Sequence, residues 1–454
     1  MHDLTQGPIV RHIVKMALPI AVGMLFQTLY FLIDLYFVAR ISGAAIAGVG
    51  AAGNLTFVIM ALTQVLSVGT VTLIAQAVGR KDHGDANLVF NQSLLLALFC
   101  ALLTLAGGYA GVRPYMQTLG ADEATRAAGV DYLLWYLPGL ALQFAAVAMG
   151  SALRGTGIVK PTMIVQMLTV VLNAILAPVL IAGWGTGIAL GVAGAGLASS
   201  IAIGLGVIAL VVYFMRLEKF VGFDRTMWAP QLETWRRILR IGLPAGGEFA
   251  LMFVYMAVIY TVIRDFGATA QAGFGIGGRV MQAIFLPVIA LAFAASPVAA
   301  QNVGAGHFER VRETFRAAMG IGAVLMLALT LVCQIKPDWF VRGFTQDEAV
   351  IGVAAEFLRY ISWNFVASGI VFTCSGMFQA LGNTIPSMIS SGSRLLTFAL
   401  PAVWLSHQPG FQLHHVWIVS MASVALQALL SLWLLRRQFR LRLQAKPVAA
   451  VAAA

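Results

Sequence analysis

"RLEKFVGFDRTMWAPQLETWRR", residues 216–237, is the longest polar stretch in an otherwise mostly apolar chain. Apolar runs of about 20 residues or more lie on both sides of it. Six precede it, near 12–38, 53–78, 88–111, 129–153, 160–183 and 190–215. Six follow, near 237–264, 271–302, 312–335, 352–379, 384–406 and 412–436. A run of that length crosses the hydrocarbon of a bilayer as one helix, and only helices and closed barrels can cross it. These runs are too long and too uniformly apolar for barrel strands.

A division into six and six prompts a search for internal repeats. Shifting the chain by 225 residues, without gaps, places Leu18-Pro19 on Leu243-Pro244 and Tyr30 on Tyr255. It places "AGVGAAG" (47–53) on "AGFGIGG" (272–278) and "AQAVG" (75–79) on "AQNVG" (300–304). Asp122-Glu123-Ala124 meets Asp347-Glu348-Ala349, Gly157 meets Gly382, and Pro161 meets Pro386. An even number of spans per half gives both halves the same orientation. The expected fold is an all-α membrane protein of twelve transmembrane helices, in two six-helix lobes related by a parallel pseudo-two-fold repeat. Transporters built this way bind substrate near the interface of the halves. The expected division is 1–215 for the N-terminal lobe, 216–236 for a cytoplasmic linker, 237–436 for the C-terminal lobe and 437–454 for a cytoplasmic tail.

Composition agrees. Of 454 residues, 60% are hydrophobic and 10% charged, and the mean hydropathy is +0.87. No soluble domain of this size covers its surface with so few charges. The net charge of +11 does not point to nucleic acid, because the basic residues gather at the ends of apolar runs. With the N-terminus inside, 20 of the 29 Lys and Arg fall on inside segments, six outside and three within spans. That bias places both termini in the cytoplasm. The first apolar segment is too long for a signal peptide, and no small-residue cleavage site follows it. Cys100, Cys333 and Cys374 each lie in an apolar run and suggest neither a disulfide framework nor a metal site. "GWGTGIALGVAGAG" (183–196) follows no strand and reads as a loop with close helix packing, not a nucleotide site. No P-loop is present to suggest ATP drive. His407, His414 and His415 flank one solvated outer loop.

Of 18 acids, only Asp34 in the first span and Glu248 in the seventh lie deep in apolar runs. Under the 225-residue shift Asp34 falls on Ile259, and Glu248 on Gly23. An ionisable group at such depth is costly and usually marks an ion or substrate route. Helical spacing gives each acid a stripe. Gln27, Tyr30 or Phe31, and Asp34 share a face of the first span, and Gln166, Thr169 and Asn173 one of the fifth. Glu248, Met252 and Tyr255 align on the seventh, and Asn364, Ser368 and Phe372 on the tenth. Arg279 and Gln282 of the eighth complete the expected cavity lining. Polar stripes also serve as interhelical hydrogen-bonding glue, which explains a single Asn or Ser well. Desolvation favours the protonated form of a carboxyl group, and a nearby cation favours the ionised form. One carboxylate therefore binds a proton or a cation in competition, the minimum chemistry of a cation-coupled antiporter. Methionine and aromatic side chains on the same faces suit flat organic cations.

The opening "LFQTLYFLIDLYFVARISGAAIAGVG", the loop "AQAVGRKD", "ALRGTGIVKP" after the fourth span and "LGVAGAGLASSIA" together resemble the multidrug and toxic compound extrusion (MATE) family. The resemblance covers essentially the whole chain. It implies an antiporter, not an enzyme, that exports small cationic amphipathic drugs or toxins in exchange for H⁺ or Na⁺. It implies no cofactor beyond the coupling ion, a bacterial inner-membrane setting and a monomer. By similarity Asp34, Asn173, Ser199 and Glu248 are cation-coupling residues, with Ser199 where a threonine is common. Two positions depart from the family. Ala177 replaces a fifth-span acid, and Ser368 stands for a tenth-span aspartate. Hard cations want several oxygen ligands, so the losses favour H⁺, with Na⁺ at Asp34 or Glu248 as the alternative ion. The alternative function is a flippase for lipid-linked precursors or polysaccharide in the same superfamily, which Arg279 and Arg394 keep open. No span pairs residues as an intramembrane enzyme would need.

Overall fold

The structure, a computed structural model, describes residues 1–444. Twelve helices among the described residues are long and apolar enough to cross a membrane, and the chain is a multi-pass membrane protein. Contacts divide it into two compact units. One comprises Met1–Asp3 and Leu18–Gly246; the other comprises Leu4–Ala17 and the chain from Gly247 onward.

The first unit is built on α1 (Ile9–Ala39, from Leu18), α2 (Gly43–Gly79), α3 (His83–Leu119), α4 (Glu123–Gly155), α5 (Lys160–Ala182), α6 (Val192–Arg216) and the first turns of α7 (Leu232–Ile263). Helix α4 touches α2, α3 and α6 and forms the centre of this unit. Asp122 starts it by accepting the Thr125 amide at 2.8 Å, a capping bond that satisfies one of the free N–H groups of the first turn. Helix α2 begins well before the expected residue 53. The glycines there are not a loop. Gly48 lies so close to α4 that a Cβ would stand 2.7 Å from the Thr125 carbonyl oxygen, and small residues allow this approach inside a membrane. Helix α3, at 37 residues, is about 55 Å long and extends well beyond a hydrocarbon layer of about 30 Å. In the "GWGTG" loop Gly183, Gly185 and Gly187 all have positive φ, a conformation natural to glycine.

Residues 216–236 are not a free linker; they are folded onto this unit. Asn91 donates to the Gly222 carbonyl (2.9 Å) and accepts from Asp224 N (3.0 Å) and Trp228 Nε1 (2.9 Å). Gln92 donates to the carbonyls of Met227 (2.6 Å) and Ala229 (2.9 Å) and accepts from Gln231 N (2.9 Å) and Trp235 Nε1 (3.0 Å). Arg237 grips Asp85 with two bonds of 2.8 and 2.9 Å. Two side-chain amides thus fix a stretch with little regular structure.

The second unit holds the rest of α7, then α8 (Ala268–Ala305), α9 (Phe308–Ile335), the short α10 (Asp338–Val341), α11 (Glu348–Ile361), α12 (Phe365–Ala380), α13 (Ile385–Ser406) and α14 (Leu413–Arg442). Asp347 caps α11 at the Ala349 amide, 3.0 Å away, matching Asp122 in the repeat. The tenth span comprises α11 and α12 and is broken by a 3₁₀ turn at Ser362–Asn364. Trp417 is fully buried and stacks on Phe274, with centroids 5.7 Å apart. Leu4–Ala17 also belong here. Leu4 N donates to Gln301 Oε1 (3.0 Å), Asn302 Nδ2 donates to the Leu4 carbonyl (3.2 Å), and Arg310 donates to the Gly7 carbonyl (3.0 Å). Helix α14 runs into the expected 437–454 tail as far as Arg442; residues 445–454 lie outside the described residues.

Candidate functional site

In the first unit, α1, α5 and α6 bring together the residues expected around Asp34. Asn173 Nδ2 donates to Asp34 Oδ1 and Ser199 Oγ donates to Asp34 Oδ2, both at 3.1 Å. The carboxylate is 8% exposed, and Asn173 and Ser199 are fully buried. Tyr30, one turn earlier on α1, is also buried. Its hydroxyl and Asn173 Oδ1 have no hydrogen-bond partner. No ion pair among the described residues includes Asp34.

Thr169 does not join this group. Its hydroxyl bonds back to the Val165 carbonyl at 2.8 Å, a common fate of threonine in a helix, and it lies beside Gly206 of α6. Gln166 lies against Gly23 of α1, where a Cβ would be 2.1 Å from its Oε1. Gln27 is half-buried. Ala177 is fully buried, so no second carboxylate stands one turn beyond Asn173.

In the second unit Glu248 meets partners that the sequence reading did not assign. Ser387 Oγ lies 2.7 Å from Oε2, Ser375 Oγ 3.3 Å from the same oxygen, and Ser391 Oγ 3.4 Å from Oε1. Gln427 Nε2 donates to Ser391 Oγ at 3.4 Å, and its Oε1 is buried without a partner. The other residues expected to line the cavity give Glu248 no hydrogen bond. Asn364, in the 3₁₀ turn, donates to the Met421 carbonyl at 2.8 Å, tying α14 to the broken span. Ser368 is half-buried and gives Glu248 no hydrogen bond, while Met252, Arg279 and Gln282 are exposed. Tyr255 is buried, bonded through its hydroxyl to Ser420 Oγ at 2.7 Å. A signal for the serines was present. Ser387 and Ser391 are one turn apart on α13, and under the 225-residue shift Ser391 falls on Gln166 and Glu248 on Gly23. The pair that touches in one unit has its counterpart touching in the other.

Each unit thus buries one carboxylate in a shell of neutral hydroxyls and amides. Hydroxyls donate or accept, and an amide carries both functions, so such shells serve a charged guest or a proton equally well. Carboxylates buried in membrane helices with no ion-pair partner usually mark an ion or substrate route, and they point to a transporter. A model of the MatE family matches residues 19–179 and 244–405, stretches whose starts are separated by the 225-residue shift of the sequence repeat. The chain belongs to the MatE family, a transporter family and not one of enzymes. It is 24% identical over 422 residues to YpnP of Bacillus subtilis, a probable multidrug resistance protein, covering 92% of this chain and 91% of that one. It is 24% identical over 404 residues to the FAD transporter of Shewanella oneidensis, covering 88% of each. A solved structure of a multidrug resistance MATE family transporter of the MOP superfamily aligns with a TM-score of 0.90 at 24% identity, covering 96% of this chain and 97% of that one. That likeness establishes the fold.

Proposed function

We propose that the chain is a multidrug antiporter of a bacterial inner membrane, with both termini cytoplasmic, that exports small cationic amphipathic compounds as a monomer in exchange for protons. Asp34 is the coupling carboxylate, and Glu248 receives a cation or the cationic part of the cargo. One observation carries the reading. Asp34 is buried in a membrane helix with only neutral partners, Asn173 and Ser199, and beside it Tyr30 Oη and Asn173 Oδ1 have no partner. The ionised carboxylate accepts from Asn173 and Ser199. When protonated, it finds an acceptor in Asn173 Oδ1 after a turn of the amide, or in the Tyr30 hydroxyl. No Arg or Lys among the described residues pairs with Asp34, so gaining a proton breaks no ion pair there.

Sodium is the second ion to test. Around Asp34 it would find the two carboxylate oxygens, Asn173 Oδ1, Ser199 Oγ and Tyr30 Oη, with no second carboxylate. The acid missing at Ala177 leaves fewer oxygen ligands than a hard cation wants. The test is dye efflux from proteoliposomes with ΔpH and ΔNa⁺ imposed separately. Efflux driven by ΔpH alone supports the reading. Efflux that needs ΔNa⁺ and ignores ΔpH replaces the ion, and no efflux under either gradient removes the antiport reading.

A further inference from the structure

The second unit also holds a cation that the coupling scheme does not use. Arg394 lies near the middle of the 22-residue helix α13, too far from either end to reach water along the surface of the helix. It is not on the lipid side. Ile385, Ile389, Leu396, Leu400 and Trp404 form the exposed face of α13, whereas Ser387, Ser390, Phe398 and Ala402 are buried. Arg394 shares the buried stripe with Ser387 and Ser391 and is itself half-buried. Its guanidinium stands over the Tyr255 ring, 4.1 Å from the centroid. Its Nε is buried with no hydrogen-bond partner. No ion pair among the described residues includes Arg394 or Glu248.

A cation–π contact offsets only part of the cost of taking a guanidinium out of water. A structural arginine at this depth would carry a carboxylate or several carbonyls. Two levels follow from the contacts between α7 and α13. At one, Glu248 meets Ser387; seven residues on along both helices, Tyr255 meets Arg394. Seven residues are two turns, about 10 Å. The stripe therefore presents an unpaired carboxylate and, about 10 Å further along, an unpaired guanidinium over an aromatic ring.

We infer that Arg394 and Tyr255 form a subsite for an anionic group, a carboxylate or phosphate, of a flat amphiphile whose cationic group is held at Glu248. The cargo class is zwitterionic. This rests on the reading of the chain as an exporter with Glu248 as its cation receptor. The guanidinium offers planar paired donors to a carboxylate or phosphate, and the buried Tyr255 and Phe398 rings, with centroids 4.9 Å apart, back it from behind and hold it in place.

The test uses two fluorescent probes that differ at one group, a rhodamine with a free benzoate and its methyl ester. Binding is measured on the full-length protein in lipid nanodiscs. The wild type should bind the free acid at least tenfold more tightly than the ester. Arg394→Gln should abolish that preference and leave ester affinity within about twofold, which also shows that the variant is folded. Arg394→Lys, which keeps the charge, should retain part of the preference. An Arg394→Gln protein that still prefers the acid overturns the inference, as does a wild type that binds the ester at least as well as the acid; in both cases the exporter reading stands. A wild type that binds neither dye removes the cargo reading and this subsite with it.

Discussion

Asp34→Asn removes one charge and keeps the shape of the side chain, which makes it the sharpest probe of coupling. Locally the change is small. The carboxylate accepts from Asn173 Nδ2 and Ser199 Oγ; an asparagine keeps one acceptor and turns an NH₂ toward the other neighbour. If that neighbour is Asn173, its Oδ1, which has no other partner, can rotate to accept. The structural cost is then about 1 kcal/mol, one ordinary hydrogen bond, and the protein should still fold and bind cargo. The cost to coupling is total. A gradient of two pH units is worth about 2.7 kcal/mol per proton, at about 1.36 kcal/mol per unit. For one-for-one exchange that sustains a roughly hundredfold dye gradient. With no titrating group at position 34 the ratio should fall to about one. The assay is dye concentration by proteoliposomes under an imposed ΔpH, beside equilibrium dye binding to the same variant. An Asn variant that concentrates dye at the wild-type ratio would refute the assignment. Loss of folding and binding together would make Asp34 a structural contact instead.

The other outcomes are more local. Ser387→Ala removes the 2.7 Å bond to Glu248 and should shift cation affinity about 10- to 150-fold, the span of about 1.5–3 kcal/mol for a hydrogen bond to a charge; titration with a monovalent organic cation checks it, and an unchanged affinity sinks the Glu248 receptor. Glu248→Gln should weaken cationic dyes by tenfold or more without lowering expression, and unchanged export of several cations would show Glu248 to be structural. Gln92→Ala leaves two carbonyls and two N–H donors of the 227–235 stretch without their partner. Faster tryptic cleavage at Lys219 or Arg225 should follow, with a loss of about 1–3 kcal/mol in stability; cleavage at the parental rate counts against the clamp. Gly242→Ala would put a Cβ 1.9 Å from the Val65 carbonyl oxygen, whereas a Cβ at Gly50 meets nothing within 4 Å. Thermal melting should fall by the equivalent of about 1–3 kcal/mol for the first and hardly move for the second; equal melting would refute the close approach of α2 and α7.

The spans and their repeat were legible because bilayer thickness imposes a length on every apolar run, and an ungapped shift brings turn and cap residues together. Asp122 and Asp347 matched in sequence because both cap helices. Asp34 was legible because an acid inside an apolar helix has few other uses; Asn173 beside it came from the family resemblance, since an amide alone serves equally well as interhelical glue. The serine ring around Glu248 was legible only through the repeat. A serine in a membrane helix can bond its own backbone, as Ser393 does to the Ser390 carbonyl at 2.7 Å, so its presence does not say which way it points. The start of α2 was hidden for another reason. Small residues lower local hydropathy in the way a loop does, and only the nearness of α4 shows why "AGVGAAG" is helical. The 3₁₀ turn at Ser362–Asn364 interrupts a stretch whose hydropathy gives no warning, because its backbone is served by neighbours: Thr330 Oγ1 donates to the Ser362 carbonyl at 2.8 Å.

The anchoring of Leu4 on Gln301 has a consequence for biosynthesis. The two residues are 297 positions apart. A ribosome adding about 5–20 residues per second needs roughly 15–60 s to make that distance. For all that time the beginning of the chain has no Gln301 or Asn302 to bond to, although the first helix is already in the bilayer. The first unit has its own clamp of Asn91 and Gln92 on residues 222–235 available much sooner, so it can close while the start of α1 waits. Whatever holds that segment at the membrane surface meanwhile, lipid headgroups or the insertion machinery, must release it once α8 emerges.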